Sequence, residues 1–80
     1  MITMEEKNTQ IEAIDAYMEE HPEGITMYEA FLELEITKLS TRVSEMLRRG
    51  YRIDKTPEVK RNKQGKVIKR YMRYRMVARP

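Results

Sequence analysis

Apolar positions recur at helical spacing through the first half of the chain and alternate with polar ones through the last third. Ile11, Ile14 and Met18 fall at i, i+3 and i+7 with Tyr17 beside them, which predicts a first helix from about Thr9 to Glu20. Asn8 or Thr9 can cap it, and Glu12 stands three residues after Thr9, at capping-box spacing. His21-Pro22-Glu23-Gly24 then stops it, because proline disfavours helix before it and glycine opens a turn. A second, shorter helix is predicted after Thr26, with Glu29 completing a capping box and Tyr28, Phe31 and Leu32 as its apolar face, ending near Leu34-Glu35. Ile25 just before that cap reads as a hydrophobic staple or one short strand.

A third helix is expected from about Thr37 to Gly50, a residue suited to a left-handed stop after Arg48 and Arg49. Ile36, Leu39, Val43, Met46 and Leu47 share its inner side. At about 100° per residue, the opposite side carries Thr37, Lys38, Thr41, Arg42, Ser44, Glu45 and Arg48. Beyond Gly50 the phase changes to that of strands. Tyr51, Ile53 and Val59 mark a first strand broken by Pro57, as an edge strand allows, and Asn62-Lys63-Gln64-Gly65 marks a hairpin turn. From Lys66 to Val77 a long strand puts Arg70, Met72, Tyr74 and Met76 on one face and Tyr71, Arg73, Arg75 and Val77 on the other, with Met72, Tyr74 and Met76 expected to face the core. The predicted fold is α+β: three helices followed by a C-terminal β-hairpin, in one domain over residues 1–80 with its core at about 9–77.

Composition narrows what such a fold can do. Eighty residues leave little room for a deep substrate cavity besides the core. With no cysteine and His21 as the single histidine, neither thiolate or histidine metal sites nor a Ser-His-Asp triad can be built within the chain, so no metal, cofactor or enzymatic activity is expected. No run approaches the roughly 18 apolar residues of a membrane span. The acidic opening lacks the order of a signal peptide, so a cytoplasmic protein is expected, in the nucleoid or in a host cell's cytoplasm.

Charge is sharply divided. Up to Glu35 there are ten acidic residues against Lys7 alone, and from Ile36 onward fifteen Lys and Arg stand against Glu45, Asp54 and Glu58. A cationic half of this kind attracts polyanions whatever the average charge. Two helices joined by a tight turn, the second with a polar cationic face, followed by a basic hairpin, make the plan of a winged helix-turn-helix.

Gly24-Ile25-Thr26, the run Ile36-Thr37-Lys38-Leu39-Ser40-Thr41-Arg42-Val43, Leu47, Gly50-Tyr51-Arg52-Ile53 and Tyr71-Met72-Arg73-Tyr74-Arg75-Met76 together resemble small phage and prophage winged helix-turn-helix domains. The likeness extends from Ile11 to Val77 and departs at the Pro57 segment. It implies a DNA-binding fold. On that reading the third helix enters the major groove with Thr37, Lys38, Ser40, Thr41, Arg42, Glu45 and Arg48 as its contact residues. The wing offers Lys60, Arg61, Asn62, Lys63, Gln64, Lys66, Lys69 and Arg70 to the backbone.

The expected partner is double-stranded DNA, and the expected role a phage-type transcriptional regulator. The first rival is an excisionase-like factor that bends DNA with the same parts. The second is a phage-encoded module that inhibits a host protein, docking that partner or a second copy through the acidic N-terminal helices. In a duller reading, Arg42 simply pairs with Glu45 and the helix cations lie on a solvated face.

Overall fold

The computed structural model describes residues 2–80. Its elements are α1 (Met4–Glu20), β1 (Ile25–Thr26), α2 (Met27–Leu34), α3 (Leu39–Arg48), β2 (Arg52–Arg61) and β3 (Val67–Ala78). The three helices and antiparallel sheet arrive in the order expected. The differences lie in helix ends and in which faces turn inward.

The first helix starts five residues earlier than the apolar stripe indicates. Thr3 is its cap, accepting the Glu6 N–H at 3.1 Å, with Glu5 and Glu6 placed favourably in the first turn. Thr9 is therefore inside the helix, where its hydroxyl donates back to the Glu5 carbonyl at 3.0 Å and no Thr9–Glu12 box forms. At the other end His21 stacks on Tyr17 with ring centroids 4.0 Å apart.

The α2 capping box forms as predicted: Thr26 accepts the Glu29 N–H at 3.2 Å, and Glu29 accepts the Thr26 N–H at 2.9 Å. Glu35 stops the helix in a left-handed conformation, φ 57°. The predicted apolar face, however, points outward. Tyr28, Phe31 and Leu32 are 55–59% exposed, while Ala30 is buried and Leu34 packs against the core. The small side chain of Ala30 lets the α2 backbone approach the other helices, and β1 fixes how the helix is rolled. Bulk alone misidentified the inner side.

Ile11, Ile14, Met18, Ile25, Ala30, Ile36, Leu39, Val43, Met46 and Tyr74 form the core. Leu47, expected inside, is outside this cluster and 39% exposed. The sheet has the order β1-β3-β2, with Ile25 opposite Tyr74 and Thr26 opposite Arg73. Pro57 does not end β2, because β2 is an edge strand; it sits opposite Met72 within a pairing that runs unbroken from Ile53 to Lys60, with register shifts only at the two ends. Of the three residues expected inward on β3, Tyr74 is buried and Met76 half-buried, but Met72 is exposed. The hairpin has left the core by that point and projects outward, stretching the molecule to 45 Å along its longest axis.

Candidate nucleic-acid interface

The turn from Glu35 to Lys38 delivers α3 with its first turn uncapped: Lys38 is the N-cap residue and no side chain bonds the first N–H groups. Those groups remain available to an anion. Thr37, Lys38, Ser40, Thr41 and Arg48 are all exposed, and Ser44 is half-buried between them. The outer face of α3 is thus a strip of hydroxyls flanked by two cations.

Two residues predicted for that face are not on it. Arg42 is 3% exposed, its Nη1 3.5 Å from Glu45 Oε2. Glu45 turns the same way and also pairs with Lys7 of α1 at 3.8 Å. Seen from the helix axis, Arg42 is nearer to Leu39 and Met46 than to Thr41 or Arg48, so its long stem follows the apolar side. The duller reading of this pair is correct. Neither Arg42 Nε nor Nη1 makes a hydrogen bond among the described residues. Arg42→Met removes the nearer cation from the partly buried Glu45 carboxylate and leaves it only Lys7, so we expect it to destabilise the fold by about 2 kcal/mol while any nucleic-acid affinity stays unchanged. Urea unfolding together with a binding titration checks both.

The wing is built by local hydrogen bonding. Asn62 Oδ1 accepts the N–H groups of Gln64 at 2.9 Å and Lys66 at 3.1 Å, and Arg61 Nη1 donates to the Gly65 carbonyl at 2.9 Å. Asn62, predicted as a contact residue, therefore spends its acceptor on holding the turn, as asparagine in such turns does. Lys60, Arg61, Lys63, Gln64, Lys66, Lys69 and Arg70 are all exposed around it. Lys69 lies over the Tyr28 ring, 4.9 Å from its centre.

An ionic clamp absent from the sequence reading fixes the wing to the body. Arg73 on β3 donates through Nε to both oxygens of Glu58 on β2 at 3.0 Å, and through Nη1 to Glu29 of α2 at 3.1 Å. Partial burial opposes the guanidinium charge, but the hydrogen bonds and charges of Glu58 and Glu29 outweigh it and hold the Arg73 pKa above its ordinary value. Because Glu29 also closes the α2 capping box, one side chain ties the helix start to both wing strands. No spacing rule in the sequence brings residues 29, 58 and 73 together; only the sheet register does.

Cations are also sorted. Of the fifteen Lys and Arg after Glu35, Arg42, Arg73, Arg75 and Arg79 are in ion pairs, leaving eleven without an acidic partner among the described residues. Six of these stand on the wing between Lys60 and Arg70. The helix and the wing meet at a groove of about 520 Å³, whose lining includes Thr37 from the turn before α3, Ser40 from α3, and Lys69 and Arg70 from β3.

A helical pair presenting an open third helix, backed by an antiparallel sheet whose basic hairpin reaches past it, defines a winged-helix fold, a class built for DNA binding. The family model for the winged helix-turn-helix domain matches residues 9–79, and the chain belongs to that family. No curated protein and no solved structure matches it. Among the described residues, no helix is long and apolar enough to cross a membrane.

Proposed function

We propose that this chain binds double-stranded DNA as a phage- or prophage-type transcriptional regulator, with α3 in the major groove and the wing along the backbone. The observation that carries the reading is the junction of α3 and wing: Thr37 and Ser40 line the same groove as Lys69 and Arg70. Surface cations that merely solubilise a protein need no such convergence. Thr41 and Arg48 are the base-reading candidates, with Thr37, Lys38, Ser40 and the free N–H groups of the α3 start positioned for phosphate. The wing lysines and arginines neutralise the neighbouring phosphates, Gln64 stands at its tip, and the acidic α1 stays off the duplex. Such a protein works in the cytoplasm or nucleoid, where its duplex lies.

A gel-shift titration with mixed genomic duplexes at low salt tests this directly. Four to six phosphate contacts give a slope of log K against log salt of about −4 to −5. No binding at low salt, or a slope near zero, would sink the reading.

One feature favours a bending role as the second reading. Ile68 and Val59 are exposed apolar residues on the basic hairpin, and apolar wing residues can wedge between base steps and kink a duplex. A circular-permutation bending assay separates an architectural factor, which bends its site sharply, from a plain regulator, which does not.

A further inference from the structure

The outward-facing side of α2 is the least expected surface of the molecule. Met27, Tyr28, Phe31 and Leu32 stand 55–59% exposed on a helix of eight residues, and Met72 of the wing continues the patch across the groove. A run of exposed apolar side chains with a charged rim is the pattern of an interaction site. Its borders carry opposite charge. On the wing side lie Lys69 and Arg70. On the other side Glu33, next in the chain to Leu32, and Glu23 are exposed; partial burial, reinforced by the charges of Glu29, Glu33 and Glu23, raises the Tyr17 pKa above its ordinary value.

We infer that this stripe is a self-association surface, in which the Phe31–Leu32 ridge of a second copy seats in the groove between α2 and the wing. Two properties select a second copy over other occupants. The surface holds both parts of the fit, a projecting apolar ridge and a groove of about 520 Å³ beside it. A two-fold axis running along the centre of the stripe exchanges its borders, so that Arg70 and Lys69 of each copy face Glu33 of the other. An all-acidic or all-basic partner satisfies only one border. The α1 acids, the surface first suspected of a homodimer, have no comparable apolar centre, because Ile11, Ile14 and Met18 are spent on the core.

The groove holds Thr37, Ser40, Lys69 and Arg70, all of which the duplex reading also uses, so a second copy and a duplex exclude one another there; the test is run without DNA and does not depend on that reading. Sedimentation equilibrium of the full chain is expected to show a reversible monomer–dimer exchange. Phe31→Glu shifts it to monomer, weakening association by about tenfold or more, while its melting curve at dilutions where both chains are monomeric stays that of the parent, because Phe31 lies outside the core cluster. Glu33→Lys and Arg70→Glu each weaken the dimer, and the two together restore it, since both borders of both copies are then exchanged. A parent chain that is monomeric throughout, a Phe31→Glu chain that associates as strongly as the parent, or a double reversal no better than its single components each overturns the inference.

Discussion

Gly24→Ala is expected to cost about 3 kcal/mol or more, the largest loss among alanine substitutions of the three glycines. Gly24 has φ +97°, a conformation that side chains rarely adopt. Space is the greater obstacle. A Cβ there would stand 2.8 Å from the carbonyl carbon of Tyr74, closer still to its oxygen, and 3.1 Å from the Arg75 Cα. These are backbone atoms of β3, the central strand, and cannot swing aside as the end of a side chain can. Relief requires β1 to part from β3, which takes Ile25 out of the core and moves the start of α2. A chain of this length has a total stability of roughly 4–12 kcal/mol, so a large fraction is lost. The melting temperature should fall by more than about 12 °C, at 4–8 °C per kcal/mol for a domain this small.

Gly65→Ala supplies the contrast. Its φ of +81° is also left-handed, yet nothing lies within 4 Å of an added Cβ at the wing turn. The conformational cost alone remains, about 1 kcal/mol. Thermal melts of the two variants side by side separate backbone conformation from collision. Equal losses would mean that the approach of Gly24 to β3 is not a constraint on the fold.

That approach also shows where the sequence could be read and where it could not. The helix stop at His21-Pro22-Glu23-Gly24 and the Thr26–Glu29 cap are local, encoded in adjacent side chains, and both form. The periodicity of α1 and β3 located those elements, because period follows from backbone geometry. Facing depends on distant partners. Phe31 and Tyr28 look like core by size, but Ala30 is what lets α2 pack. Arg42 looks like a reading residue by chemistry, but its position around α3 buries it beside Glu45. The Arg73 clamp depends on the pairing of Thr26 and Thr56 with Arg73, a register that no short window of sequence contains. The candidate site was therefore legible at the wing, where charge and turn chemistry are local, and less so on α3, where one helical step decides between surface and interior.

The wing also offers the sharpest test of how the duplex would be held. Lys60, Lys63 and Lys66 are exposed, take part in no ion pair among the described residues, and surround a turn held by Asn62 and Arg61. Replacing all three with alanine leaves that turn intact, so the melting curve should not move. If each lysine neutralises one phosphate, the salt slope of DNA binding shrinks by about 0.9 per residue, or between two and three in all. Affinity falls by about a hundredfold near physiological salt, at about 1 kcal/mol for each lost contact, and it falls alike on every sequence. Thr41→Ala should behave in the opposite manner. The hydroxyl and methyl of Thr41 carry no charge and release no counterion, so the slope stays at the parent value while the ranking of target sequences changes. Binding isotherms at four or five salt concentrations, on a preferred and a scrambled duplex, distinguish the two patterns. An undiminished slope in the triple variant would take the wing off the backbone. A Thr41→Ala chain that loses affinity equally on both duplexes would take α3 out of the major groove.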